Sequence, residues 1–255
     1  MPRYATYPSL IDRTVLITGG ATGIGATLVS EFAAQGSRVG FIDIDAASGE
    51  ALAAALAGSS RHAPVFVRAD VTDIDALQAA IAEVRGRCGP IEALMNNAAN
   101  DQRHAMEATT SASWDQGIAV NLKHQFFAAQ AVAPDMRAAG GGAIVNFGSI
   151  SWMLKQGGMP VYTASKAAVQ GLTRSLARDL GRYNIRVTTL VPGWVMTDKQ
   201  VRLWVDDAAK AEISRLQCID QRLMPADIAR MAMFLAADDG AMCTAHDFQV
   251  DAGIV

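Results

Sequence analysis

Tyr162 and Lys166 stand four residues apart in the stretch 161–180, where apolar residues recur at helical spacing, so both side chains share one face of a helix. A phenol titrates near ~10 in water, too high for a good base at neutral pH. A cation beside it favours phenolate, and a fall of about 2 pH units corresponds to roughly 2.7 kcal/mol. A tyrosine made acidic in this way can take the proton of an alcohol while the carbon gives up a hydride to an acceptor. Ser149 lies thirteen residues before Tyr162 and offers a hydroxyl that can steady the reacting oxygen.

The acceptor is written elsewhere in the chain. Thr18-Gly19-Gly20-Ala21-Thr22-Gly23-Ile24-Gly25 follows an apolar run and leads into a helical pattern. Gly19 allows a tight turn, Gly23 lets backbone approach a diphosphate, and Gly25 lets the helix pack closely. The exposed N–H groups and the helix dipole then hold the anion. The spacing is GxxxGxG, not the commoner GxGxxG. Asp43 comes 24 residues after Gly19, where an acid binds the two ribose hydroxyls of an adenosine. It repels a 2′-phosphate, Asp45 adds to that charge, and no Lys or Arg lies between Gly19 and Gly25. These features predict NAD rather than NADP. The plainer readings are that the glycines form only a turn and that Asp43 only caps the next helix.

Elements must exist to bring these residues together. Strands are expected at 13–18, 38–43, 64–69, 91–96, 143–147, 186–191 and 246–250. Helices are expected after the glycine loop and at 46–57, 74–87, 113–136, 161–180 and 225–237. Continuous apolar strands, each followed by a helix, imply a parallel sheet covered on both faces. The expectation is an α/β fold: one Rossmann-like domain over 1–255, doubly wound, with helices on both faces of the sheet. Residues 140–142 read as a turn. The long irregular stretch 193–224 reads as a substrate lid with one helix at 206–216.

Composition narrows the function classes. Of 255 residues, 51% are hydrophobic and 18% charged, which supports a filled core and argues against disorder. Net charge is −3 with no basic stripe, so nucleic acid is not an expected partner. No apolar run reaches the ~20 residues of a membrane helix, and MPRYATYPSL lacks the apolar core of a secretion leader. The expected location is the cytoplasm. The three cysteines, Cys88, Cys218 and Cys243, and the four histidines show no metal-ligand spacing, so no metal is expected. All histidines but His104 read as structural or surface residues.

Thr18–Gly25, Asp70-Val71, Asn96–Ala99, Asn121, Ser149, Tyr162-x-x-x-Lys166 and Pro192-Gly193 with Thr197 follow one another in an order and spacing that resembles the short-chain dehydrogenase/reductase family. The resemblance spans about Leu10 to Gly253. It implies Tyr162 as acid/base, Ser149 as the group that positions the oxygen, Lys166 as the cation, and Asn121 as holder of a relay water. It also implies cofactor contacts from Asp70 and Val71 at the adenine and from Asn97 and Ala98 at the ribose. Val195 and Thr197 would contact the carboxamide, with Thr22, Ile24 and Ile44 beside the dinucleotide. It implies a homotetramer built from 113–136 and 161–180.

Asn97-Ala98-Ala99-Asn100, where the family usually has Asn-Asn-Ala-Gly, runs on through Asp101-Gln102-Arg103-His104. Together with Gly148–Trp152, Tyr7–Leu10, Cys243–His246 and Asp251–Gly253 it resembles bacterial sugar dehydrogenases, in particular the NAD-dependent D-xylose 1-dehydrogenase type. That likeness implies oxidation of an aldose at C1 to its lactone, with galactose and arabinose as related substrates. Asn100, His104 and Gln156 are the candidate polar partners of the sugar, and Trp152 and Trp194 the candidate platforms. The tryptophans read equally as packing. Arg103 is expected to pair with Asp101. Another secondary alcohol, a 3-oxoacyl substrate and a non-catalytic NAD-binding role stay open.

Overall fold

A computed structural model describes residues 4–255. The first three residues of the stretch read for a leader lie outside the described residues. Seven strands form one parallel sheet: β1 (Thr14–Thr18), β2 (Arg38–Asp43), β3 (Val65–Arg68), β4 (Ala93–Asn96), β5 (Gly142–Phe147), β6 (Ile185–Pro192) and β7 (Asp247–Val250). Their order is β3-β2-β1-β4-β5-β6-β7. The order reverses between β1 and β4, so the chain leaves their carboxyl ends in opposite directions and opens a crevice there.

Successive strand residues point to opposite faces, and each face meets its own helices. Leu16, Leu94, Ile144 and Val187 pack against α3 (Ile74–Cys88), α5 (His124–Ala138) and α6 (Pro160–Leu180). Val15, Ile17, Met95 and Val145 pack against α1 (Gly23–Ala34) and α9 (Pro225–Ala236). α2 (Ala46–Ala57) packs beside them through Leu52 and Leu56. Each fully buried Leu, Ile or Phe stabilises the fold by about 1.5–3 kcal/mol before entropy is counted. Among the described residues, no helix is long and apolar enough to cross a membrane, and no cluster of three or more His, Cys, Asp or Glu side chains fits a metal ion.

Asp70-Val71, Asn97-Ala98 and Ser149 follow the strands, and two helix expectations need correction. β3, β4 and β5 stop at Arg68, Asn96 and Phe147, and these residues belong to the loops beyond. Asn97 N–H already turns back to the Met95 carbonyl at 3.0 Å, which takes it off the ladder. The single helix expected over 113–136 is two, α4 (Ser111–Ile118) and α5, joined by a π turn over Ala119–Lys123. It begins earlier because Thr110 caps it, accepting from Ser113 N–H at 3.1 Å. The stretch 193–224 holds two helices rather than one, α7 (Asp198–Trp204) and α8 (Asp207–Leu216), because Thr197 and Asp206 each cap a start.

A chain of buried polar side chains sets the height of α6 against the sheet. Asn96 Nδ2 donates to Asn146 Oδ1 at 2.9 Å, Asn146 Nδ2 to Thr173 Oγ1 at 3.0 Å, and Thr189 Oγ1 to Thr173 Oγ1 at 2.9 Å. It runs from β4 through β5 and α6 to β6. Thr173 lies two helical turns beyond Lys166, so the same bonds fix where Lys166 and Tyr162 stand. Asn146→Leu keeps the side-chain volume close and leaves Asn96 and Thr173 short of a partner. Stability should fall by about 1–3 kcal/mol, read as a lower denaturant midpoint at unchanged slope. An unchanged midpoint would show that the chain contributes nothing to the fold.

Candidate active site

The carboxyl ends of β1, β4, β5 and β6 open into one cleft of about 1120 Å³. At one end lies the glycine loop. Gly19 has φ +67° and Gly23 has φ +56°, both left-handed, where glycine is unstrained. A Cβ on Gly19 would stand 2.7 Å from Ala98 Cα, and one on Gly25 would overlap the Gly19 carbonyl oxygen. Gly25 therefore packs α1 on its own loop rather than on a strand. Asn97 Nδ2 ties the turn to β4, donating to the Thr18 and Gly19 carbonyls at 3.0 and 2.9 Å. Thr22 precedes α1 without capping it through its side chain, so the first N–H groups of the helix are left for an anion.

The acidic residues are where a dinucleotide needs them. Asp43 Oδ2 accepts from Ala21 N–H at 2.9 Å and Oδ1 from Asp45 N–H at 3.1 Å. Asp43 is not the cap of α2; that is Asp45, which accepts from Ser48 N–H at 3.1 Å. Asp70 holds Thr72 through Oδ1 alone, at 2.9 and 2.8 Å. Thr22, Ile24, Ile44, Val71, Ala98, Val195 and Thr197 also line the cleft. Thr197 Oγ1 accepts from Gln200 N–H at 3.3 Å, which leaves its hydroxyl proton free to donate. An uncapped helix start, a cradle that any Cβ would fill and a carboxylate beside it fit a nicotinamide dinucleotide. Gly19, Gly25, Asp43, Asp70, Asn97, Val195 and Thr197 are the residues that would hold it.

At the other end stand the reactive groups. Pro160 opens α6, and Tyr162 and Lys166 follow on one face. Lys166 is 1% exposed, and its Nζ donates to the Phe147 carbonyl at 2.7 Å, lying 5.6 Å from the centroid of the Tyr162 ring. Burial pushes Lys166 down to about 7, against the pull of Asp101. Burial pushes Tyr162 up to about 12, eased by the Ser149 hydroxyl and reinforced by Asp101. The Lys166 ammonium is desolvated and turned to a carbonyl. Ser149 Oγ accepts from Ser151 N–H at 3.1 Å, which aims the hydroxyl proton outward.

Asn121 is spent on structure. Its Oδ1 accepts from Asn100 N–H at 2.8 Å, and its Nδ2 donates to the Asn100 and Gly117 carbonyls at 3.1 and 3.0 Å. The side chain clamps the loop after β4, and neither amide proton is left for a relay water. His124, read as structural or surface, does not line the cleft. It is fully buried, its Nε2 bonds the Ala98 carbonyl at 3.0 Å, and burial and then the Lys166 charge push it down to about 3. The imidazole is therefore neutral with its proton on Nε2.

The cleft is walled by Asn100, His104, Gln156 and Trp194. His104 Nδ1 bonds the Gln102 carbonyl at 3.1 Å, which leaves Nε2 as an acceptor. Trp152 is not among the lining residues; the short helical turn Ile150–Trp152 carries it away, and Leu154 lines the cleft instead. Nor does Arg103 pair with Asp101. Its guanidinium lies 4.3 Å from the Trp204 ring centroid, while Asp101 reaches Lys199 on α7. From α8 come Glu212, Ile213 and Arg215, none of them foreseen.

The short chain dehydrogenase family profile matches residues 13–207. The chain is 45% identical over 248 residues to the "Probable galactose dehydrogenase GalD" of Rhizobium meliloti (strain 1021), covering 97% of each. It is 46% identical over 249 residues to the D-xylose 1-dehydrogenase of Caulobacter vibrioides (strain NA1000 / CB15N), covering 98% of each. A blue fluorescent protein from a metagenomic library, solved with NADPH, superposes with TM-score 0.88 at 30% identity, over 97% of this chain and 99% of the other.

Gly25→Ala would push the glycine loop out of shape, since the Gly19 carbonyl occupies the space of the new methyl. Dinucleotide binding should weaken at least tenfold by calorimetry, while the far-ultraviolet dichroism of the chain stays that of the parent. Wild-type affinity in this variant would exclude the loop from the cofactor site.

Proposed function

The chain belongs to the short-chain dehydrogenase family, and on that footing we propose that it oxidises an aldose at C1 to the lactone with NAD. The carrying observation is the single cleft that joins the glycine cradle to Tyr162, Ser149 and Lys166. The sugar is favoured by the polar wall of Asn100, His104 and Gln156 beside the flat face of Trp194, and by two relatives named for sugar oxidation. D-xylose, galactose and arabinose are the candidate substrates.

In this reading Ser149 donates to the C1 oxygen and holds it against Tyr162. Tyr162 takes the hydroxyl proton as the C1 hydrogen leaves as hydride. NAD, when bound, supplies the hydride acceptor and a positive ring that favours phenolate. Lys166 contributes charge to the same end, limited by its own burial. Asn121 keeps the wall loop in place through Asn100, and the proton leaves along the Lys166 side of the cleft. NAD is favoured over NADP because the segments around Asp43 and Asp70, with the glycine loop, add no lysine or arginine to the lining. We also propose a cytoplasmic homotetramer packed through α4, α5 and α6, where Trp114 and Phe126 are exposed.

A panel of aldoses, secondary alcohols and 3-oxoacyl compounds, each with NAD and NADP, tests the reading through NADH and NADPH absorbance. Aldoses with NAD should turn over fastest; a clear preference for a 3-oxoacyl substrate would overturn it. Tyr162→Phe removes the proton acceptor and keeps the ring. Turnover should fall at least about 10²–10⁴-fold, with NAD affinity little changed. Retention of a tenth of wild-type turnover would remove Tyr162 from the mechanism. Asp43→Ala should weaken NAD use and improve NADP use; an unaltered preference would mean that Asp43 serves only the glycine loop.

A further inference from the structure

Beyond β7 the chain folds back on itself as a hook. Asp251 is 5% exposed, and its carboxylate accepts three backbone N–H groups. Gly253 donates to Oδ1 at 2.9 Å, and Ile254 and Val255 donate to Oδ2 at 3.2 and 2.9 Å. Two successive residues inside the hook are left-handed, Ala252 at φ +60° and Gly253 at φ +82°. Alanine is strained in that region, so the bonds to Asp251 are needed to hold the shape.

Two other segments are fastened to the hook. The Ala252 carbonyl accepts from Cys218 and Ile219 N–H at 2.9 and 3.1 Å, just beyond α8. That tie matters because α8 buries only Ile213. Gly193 N–H donates to the Val250 carbonyl at 2.9 Å, and a Cβ on Gly193 would stand 2.6 Å from Asp251 Cα. The loop that carries Trp194 therefore starts directly against the hook.

The hook sends one side chain into the cleft. Ile254 lines it together with Ile213 and Leu216 of α8, whereas the polar residues Asn100, His104 and Gln156 come from the loops after β4 and β5. Ser149 follows β5, Gly193 follows β6 and Asp251 follows β7, and these strands are neighbours in that order. Neighbouring strands stand about 4.8 Å apart, so the hook begins roughly 10 Å along the sheet edge from the loop that holds Ser149.

We propose that Ile254 is a specificity-determining residue that limits the bulk of the substrate away from its reacting carbon, and that Asp251 is the positioning residue that holds it there. The inference rests on the reading of the substrate as an aldose. C1 is fixed at Ser149 and Tyr162. The C–H edge of the ring, with any group it carries, meets the wall of Ile213, Leu216 and Ile254. A hexose carries one hydroxymethyl more than the matching pentose, and this wall admits or refuses it.

The measurement is the ratio of kcat/KM for D-glucose over D-xylose and for D-galactose over L-arabinose, pairs that differ by one hydroxymethyl. Ile254→Ala shortens the wall and should raise both ratios about tenfold, the low end of what one carbon is worth in an apolar pocket. Ile254→Phe lengthens the wall and should lower both by a similar factor. Ile254 is only partly buried, so both variants should fold. Asp251→Ala releases the hook and should reproduce the effect of Ile254→Ala, and adding Ile254→Ala to it should change the ratios little further. Asp251→Ala should also speed amide hydrogen exchange at Cys218 and Ile219 in the ligand-free protein, a readout that needs no turnover. Ratios that stay put in both Ile254 variants, or move the same way in both, would overturn the wall. Unchanged exchange in Asp251→Ala would overturn the positioning role of Asp251. If the parent protein oxidises no aldose, the functional reading fails by itself. The same variants are then compared on secondary alcohols differing by one carbon, with the same directions expected and the same results overturning the wall.

Discussion

Lys166 carries its ammonium into a place where water does not follow, with the Phe147 carbonyl at 2.7 Å as its protein partner. A charge so placed costs several kcal/mol unless its surroundings are fixed to receive it. The fixing comes from β5, which ends at Phe147, and from the polar chain that locks α6 to three strands. The charge then governs what else can stand nearby. His124 beside it is kept neutral, and Tyr162 shares the same dry end, which raises the phenol instead of lowering it.

The crevice between β1 and β4 gives that arrangement its second half. Because all strands are parallel, every loop that carries chemistry leaves from the same edge of the sheet. Two asparagines bind these loops to one another. Asn97 reaches back to the glycine turn, and Asn121 reaches up to Asn100. The glycine turn, the loop after β4 and the π turn are thus parts of one braced rim. Displacing any one loop moves the others.

Much of this was legible in the chain itself, for a physical reason. The strands are buried on both faces and read as apolar runs, and the glycine loop and the Tyr162–Lys166 pair obey local geometric rules. What escaped depends on contacts between segments distant in sequence. Nothing near Asp101 says that its partner is Lys199, 98 residues away, rather than the neighbouring Arg103. Trp152 stands three residues from Ser149, yet a short helical turn sends it away from the cleft. Burial, not spacing, sets the charge state of Lys166 and His124, and burial is a property of the assembled fold. The irregular length of 193–224 was legible, but its additional helix depended on a cap at Thr197 in a stretch with little apolar pattern.

The π turn at Ala119–Lys123 makes α4 and α5 one rod whose two halves are indexed differently. One extra residue in a helix rotates everything beyond it by about 100°. The offset lets α4 press Gly117 against Val161 of α6 while α5 turns Ala128 and Val132 to the sheet. A regular helix through the same length would satisfy one of these faces and swing the other into solvent. Loss of a single residue there would give better backbone hydrogen bonding and a more ordinary rod, and would carry Asn121 away from Asn100. The length of the segment 111–138 is therefore set by what each of its halves must face.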